Sequence, residues 1–380
     1  MTKRWLAATL TAAWMLTAAI GPAFAIDGRI AALAAPNTPW DDSWTEFKTY
    51  LRDNPSTVNF RYYIRGEIGN EDEMLAALRR NRVQIMGSSL QGLATLVPEL
   101  TVAMSPYLFD SAEEVDFVYD NYLLEPAAEL MAAKGLTLLR WNEVGWTDFY
   151  SNVPVRVPAD ARELKIRGAP NVSAQVFLRG IGANSVPIGS VDLVPALQRG
   201  LVEGGTSNLI FHYFSTRQYA KYVTLTHHSY DTGGSVAHKG WWDSATPEEQ
   251  ETIMNAFGSP DKDRRAVRNL VAEIKQRLRD EGVVIIELTA KERAKWVEKT
   301  RPLVQEIIDE VGGQSELIYE AIVEGKQAFA AFKADQQARG RIAPSVPGRA
   351  ARARAAARGG CAAVSALVGF SQPTPFDDNS

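Results

Sequence analysis

The chain has 380 residues, with 41 Lys+Arg against 45 Asp+Glu, 46% hydrophobic residues, 4 His and 1 Cys. A lone cysteine excludes an intramolecular disulfide framework, so the fold must be held by its core. The formal net charge of −4 gives no basis for nucleic-acid binding, and the length suffices for two domains with separate cores.

The N-terminus carries Lys3-Arg4, an apolar run from Trp5 to Ile20 and then Ala23-Phe24-Ala25, which predicts a secretory signal peptide over residues 1–25. The run is shorter than the roughly 20 residues of a bilayer span, and no Cys lies at the junction to receive lipid, so the mature protein is expected to be soluble in the periplasm. Residues 339–380 place Arg339, Arg341, Arg349, Arg352, Arg354 and Arg358 among Ala, Gly and Pro, against only Asp377 and Asp378. This stretch is expected to be a largely disordered Arg/Ala-rich tail, with contact to anionic lipid as an alternative. A change of reading frame near the end of the gene explains the shift in composition equally well. Between these ends, Ile26 to Ala338 holds 33 basic and 43 acidic residues, a formal −10.

Along the mature chain the hydrophobic period alternates between 2 and 3.6. Arg29 to Ala35 is a predicted strand ended by Pro36-Asn37-Thr38-Pro39, and Trp40, Trp44, Phe47 and Leu51 then recur at helical spacing. Val58 to Ile64 alternates as a strand, Asn70-x-x-Glu73 is a capping-box start for a helix burying Met74, Leu75 and Leu78, and Val83 to Gly87 is a third strand ending in Ser88-Ser89. The grammar repeats: Ser111-x-x-Glu114 opens a helix toward Lys134, and a strand follows from Leu136 to Trp141. Thr246-Pro247-Glu248-Glu249 and Thr289-x-x-Glu292 open further helices. Alternating strands and helices predict an α/β protein with parallel-rich sheets.

Leu164-Lys165-Ile166-Arg167 reads as a buried strand that delivers one arginine to its end. It is followed by a helix, a short strand through Val186-Pro187-Ile188, and a second helix through Ala196-Leu197-Gln198-Arg199 closed by Gly200. Ligands of α/β sheets bind beyond the strand ends, and a guanidinium fork matches a carboxylate with two parallel hydrogen bonds. Arg167 therefore either grips a ligand carboxylate or pairs with a structural Asp or Glu. No catalytic constellation stands beside it. His212, His227, His228 and His238 have no metal-ligand spacing, no G-x-S-x-G elbow is present, and nothing places a base next to Cys361, so no enzyme, metal or cofactor is expected. Trp146 is expected in a loop after Gly145, lining a cleft at a lobe boundary, whereas Phe149 and Phe214 are expected in the core.

In these motifs the chain resembles the C4-dicarboxylate-type substrate-binding proteins of tripartite ATP-independent periplasmic (TRAP) transporters. The resemblance runs from Ile26 to about Ala338. It rests on Gly66-Glu67-Ile68-Gly69-Asn70-Glu71, Leu164-Lys165-Ile166-Arg167, Gly182-Ala183 with Val186-Pro187, Ala196 to Gly204, and Tyr222-Val223-Thr224-Leu225-Thr226-His227-His228. It implies a two-lobed clamp of periplasmic-binding-protein type in which the chain crosses a hinge. Lobe I would comprise residues 26–144 plus 233–272, and lobe II residues 145–232 plus 273–338. It further implies a monomeric receptor that captures a small organic acid and hands it to the membrane subunits of an ion-gradient-driven permease. The alternative is a ligand-binding partner of a membrane sensor or of an ATP-driven importer. Arg167 stands at the position that grips the ligand carboxylate. The family's second arginine follows a Gly-aromatic pair, where this chain reads Gly145-Trp146-Thr147, and Thr147 cannot supply that charge. The family's polar contact falls on Ser207 with Asn208 next to it; either residue can supply it, with Asn208 favoured because its amide both donates and accepts. Ser88, Ser89, Phe211 and Asn37 are the remaining lining candidates. Some relatives place a metal at the ligand, for which Glu203 is the conceivable contact here.

Overall fold

The computed structural model describes residues 26–54 and 56–340; the predicted signal peptide and everything from residue 341 lie outside the described residues. Nine strands form the sheet: β1 (Ile26–Ala31), β2 (Val58–Tyr63), β3 (Ile85–Ser89), β4 (Leu136–Ser151), β5 (Lys165–Gly168), β6 (Asn184–Pro187), β7 (Gly204–Asn208), β8 (Tyr222–His238) and β9 (Val284–Glu287). Their order is β2-β1-β3-β8-β4-β7-β5-β6, with β9 beside β8. The β1–β2, β1–β3, β5–β6, β5–β7 and β8–β9 pairs are parallel and the pairs made by β4 and β8 with β3, β7 and each other are antiparallel. The α/β, parallel-rich architecture is as expected.

The two long strands organise the molecule. The C-terminal half of β8 pairs with β3, from Gly233 to Ala237, while its N-terminal end pairs with β9, from Tyr222 to Leu225. β4 runs antiparallel along β8 and pairs with β7 only over Thr147 to Ser151. Both strands therefore thread two halves, one built on β1–β3 and one on β5–β7 and β9. Packed side chains fill separate clusters in them. Phe47, Phe60, Trp241 and Phe257 lie on one face of the first half, and Leu93, Phe109, Tyr119 and Met131 on the other. Leu193, Ile210 and Val223 gather in the second half, as do Phe149, Ile166, Phe177 and Trp296.

Local chemistry sets the helix starts. Capping boxes form at Asn70 with Glu73, Thr246 with Glu249 and Thr289 with Glu292. Ser111 caps its helix too, but Glu114 accepts from Asp110 N at 2.8 Å and from Lys326 Nζ at 2.7 Å instead of closing a box. The helix expected from there to Lys134 is interrupted by a π turn at Tyr119–Leu123, just before Pro126, which has no N–H to give and whose ring crowds the preceding turn.

Three expectations change. The strand predicted to end at Trp141 runs on to Ser151, so Trp146 lies within β4 and not in a loop. Gly145, at φ 104°, sits beside a register shift between Glu143 and Gly145 that lets the strand bend and continue. Phe214, expected in the core, is 41% exposed and stacks edge-on with Tyr213. Finally, helices Val304–Val311 and Ser315–Gly340, assigned by sequence to the second lobe, contribute Ile307, Ile308, Ile318 and Ile322 to the first-half core around Val115, Leu123 and Met131. Their apolar residues fit that surface, and the chain returns across the molecule to reach it. Among the described residues no helix is long and apolar enough to cross a membrane.

Candidate ligand-binding site

Arg167 lies one residue from the end of β5, opposite Gly205 of β7 and Val186 of β6. Ile166 and Val186 are the apolar neighbours that hold this short strand in the sheet, and the arginine itself is only 3% exposed. Its Nε donates to Ile188 O at 2.7 Å and its Nη1 to Thr206 O at 3.1 Å. These use two of the five guanidinium N–H groups. No carboxylate stands within salt-bridge distance among the described residues, so Arg167 is not the structural ion pair that spacing alone allowed. Burial disfavours its charge, opposed by the Tyr150 and Asp231 charges, but a guanidinium remains cationic. A buried cation held only by two carbonyls is costly unless an anion completes it. Tyr150 lies beside it, with a buried hydroxyl that has no hydrogen-bond partner. A Cβ on Gly205 would strike that hydroxyl at 2.5 Å, which is why the residue paired with Arg167 is glycine.

A narrow cleft of about 30 Å³ opens between Gln91, Met104 and Pro106 of the first half and Thr147, Thr206, Asn171, Phe177, His228 and Ser229 of the second. Gln91 and Asn171 also line a wider groove of about 430 Å³ that leads outward past Thr95, Thr101, Gln175 and Arg179. In the cleft wall His228 stacks on Phe177 at 3.9 Å with rings 4° apart, and its Nδ1 is 2.8 Å from Thr226 Oγ1. Burial pushes His228 down to about 3, so it is a neutral wall at neutral pH. His212, also pushed by burial to about 3, bonds Thr216 through Nδ1.

The other sequence-derived candidates are placed as follows. Thr147 is buried and lines the cleft, while its neighbour Trp146 projects to the opposite side of β4, 4.7 Å from the Tyr230 ring and 5.5 Å from His227. Ser207 is buried beside Tyr150, and its Oγ donates to Asn208 O at 3.3 Å. Asn208 caps the following turn, its Oδ1 accepting from Phe211 N at 2.9 Å, which leaves its amide NH₂ for another partner. Phe211 packs half-buried against the Leu193–Val223 cluster. Asn37 is exposed, at φ 62° in the turn before Thr38 caps helix Pro39–Asp53. Ser88 and Ser89 are both engaged by Glu71. Its carboxylate accepts from Ser88 Oγ at 2.9 Å, Ser89 N at 2.6 Å and Ser89 Oγ at 2.9 Å. Glu203 accepts from Lys165 N at 2.9 Å and so braces β5 instead of facing a metal. Among the described residues no group of three or more His, Cys, Asp or Glu has metal-binding geometry.

The cleft-lining Gln91 and the Asp231 it bonds escaped the sequence reading. Gln91 follows the serines, and its Nε2 donates at 2.8 Å to Oδ2 of Asp231, an acid only 4% exposed. The Oδ1 of Asp231 has no partner. Burial raises Asp231 to about 7, with Glu71 pushing the same way and Gln91, Thr232 N–H and Arg167 opposing. Asp231 follows Ser229 by two on β8, hence on the same face, and its cross-strand partner is Gly145.

Residues 30–310 match the model of the bacterial extracellular solute-binding protein family 7. The chain belongs to this family. Within it, the chain is 25% identical over 323 residues to the C4-dicarboxylate-binding periplasmic protein DctP of Rhodobacter capsulatus, covering 83% of this chain and 97% of that one. Among solved structures it is similar to the sugar acid binding protein DctPAm from Advenella mimigardefordensis in complex with galactonate. That match has a TM-score of 0.72 and 24% identity, covering 79% of this chain and 98% of that one. It is also similar to a TRAP periplasmic solute-binding protein from Shewanella oneidensis with bound succinate, at a TM-score of 0.73 and 22% identity, covering 79% and 99%. The family 7 fold thus accounts for the two-lobed arrangement and for the strands that thread it.

Proposed function

We propose that this family 7 protein is a periplasmic receptor that captures a small organic acid, its carboxylate gripped by Arg167, and delivers it to an ion-gradient-driven TRAP permease. The observation that carries this reading is a 3% exposed arginine with no acidic partner, at a strand end beside an interlobe cleft. The names of its relatives support the ligand class, since C4-dicarboxylate, galactonate and succinate all present carboxylates. The predicted signal peptide supports export, with the receptor acting after its removal.

The two lobes would close on the ligand by bending where β4 and β8 pass between them, near Gly145. Ser207, the Asn208 amide and Thr147 supply neutral hydrogen bonds from the second lobe, and Gln91 supplies them from the first. Micromolar to nanomolar binding requires about −8 to −12 kcal/mol, and one charge-assisted hydrogen bond nets roughly 1.5 to 3. Arg167 therefore anchors the ligand while closure and burial contribute most of the affinity.

A thermal-shift screen of the mature protein against mono- and dicarboxylates, keto acids, sugar acids and their neutral amides tests this. At about 100 Kd a ligand should stabilise the protein by roughly 2.7 kcal/mol. A shift with one acid class and none with its amide is expected; shifts confined to neutral polar solutes would contradict the carboxylate clamp.

A further inference from the structure

Among the described residues Arg167 is the one guanidinium whose charge acts on Asp231, and the cleft wall at Thr147 carries no charge. Asp231 is 4% exposed, and its Oδ1 makes no hydrogen bond. Gln91, which itself lines the cleft, holds only Oδ2. Ser229, two residues earlier on β8, lines the cleft as well, and strand alternation puts Asp231 on that same side of the strand. Its cross-strand neighbour Gly145 offers no side chain, and a Cβ placed there would meet nothing within 4 Å. Glu71 adds a second negative charge that acts on Asp231. A dicarboxylate gripped at one end by Arg167 would bring its other carboxylate toward these acids with no cation to receive it, and like charges in a desolvated site repel strongly.

Resting on the organic-acid reading above, we propose that the ligand is a zwitterion, an amino acid or betaine-like compound whose carboxylate is held by Arg167 and whose cationic nitrogen is held by Asp231. Glu71 reinforces the cationic end through its charge, and Gln91 fixes the orientation of the Asp231 carboxylate. The uncharged cleft wall at Thr147 and the orphaned acid then serve one purpose: they exclude dianions and select a ligand with a charge at each end.

The test is calorimetric titration of the mature full-length protein with α- and ω-amino acids, paired with dicarboxylates and monocarboxylates of matching chain length. An amino acid should bind at least about tenfold more tightly than its matched dicarboxylate, and Asp231→Asn should erase that preference. A matched dicarboxylate that binds as tightly, or a preference untouched by Asp231→Asn, overturns the proposal. Acids that bind and are lost in Arg167→Ala, with no amino acid among them, overturn it while leaving the organic-acid receptor standing. Binding of neither charged class, with neutral polar solutes binding instead, overturns both. Should Asp231→Asn fail to fold, Thr147→Arg reads the same balance from the other side: dicarboxylate affinity should rise and amino-acid affinity fall, and no change contradicts the proposal.

Discussion

In the ligand-free protein at pH 8 the Asp231 carboxylate is ionised in a site that holds its pKa at about 7, far above the roughly 3.9 of an unfolded chain. A pKa raised on folding means that the native state favours the protonated form. The resulting contribution to stability is complete below about pH 3.9 and is lost as pH rises through 7. Glu71 and Arg167 are the charged groups acting on it, and Tyr119, itself pushed up chiefly by burial, feels its charge. Asp231→Asn should therefore melt above the wild type at pH 8, with the difference vanishing by about pH 4; an equal or lower melting temperature at pH 8 would show that the acid is compensated. Arg167 was legible because a basic residue in an apolar strand is conspicuous. Asp231 and Gln91 were not, because Ser229-Tyr230-Asp231-Thr232 has the polarity of a surface strand, and only the pairing of β8 on both sides buries it. Glu71 was hidden in a capping sequence, where an acid after Asn70 needs no further reason.

The elements were read best where local chemistry alone sets them. The boxes at Asn70, Thr246 and Thr289 formed as written because each needs only residues three apart. β4 reads short because its continuation depends on β8, 71 to 91 residues away in sequence, and on Gly145 accepting a φ of 104°. Gly145→Ala is expected to cost about 1 to 2 kcal/mol in chemical denaturation, because the space for a Cβ is open but the backbone conformation is not one an L-residue adopts readily. A loss no larger than at an ordinary exposed site would mean that the strand relaxes around the new side chain. Trp146 shows the same limit on a finer scale. Reading the loop placed its ring in the cleft, whereas strand alternation turns it onto Tyr230 and gives the cleft to Thr147.

At the scale of the molecule, helix Pro260–Asp280 links the first half to the strands that thread both. Arg264 bonds Asp120 with both Nη atoms at 2.7 Å, and Arg268 bonds Asp116 at 2.7 and 2.9 Å and reaches Glu143 on β4. Tyr230 of β8 donates to the same Glu143, so helix, β4 and β8 are tied just beside Gly145. This network fixes where the strands are braced and leaves the bulged segment beyond it as the place to bend. The return of the last helices onto the first-half core lay beyond sequence reading, since their apolar stripe fits either lobe. The central claim, that Arg167 is a ligand anchor and not a structural ion pair, is tested most directly by calorimetric titration. The best-binding acid from the screen would be titrated into wild type and Arg167→Met, with melting temperatures measured alongside. We predict one ligand per wild-type chain, no measurable binding to the variant, and a ligand-free melting temperature within a few degrees of wild type, because Arg167 makes no ion pair that the substitution would break. Retained affinity, or a variant that unfolds without ligand, would contradict the account.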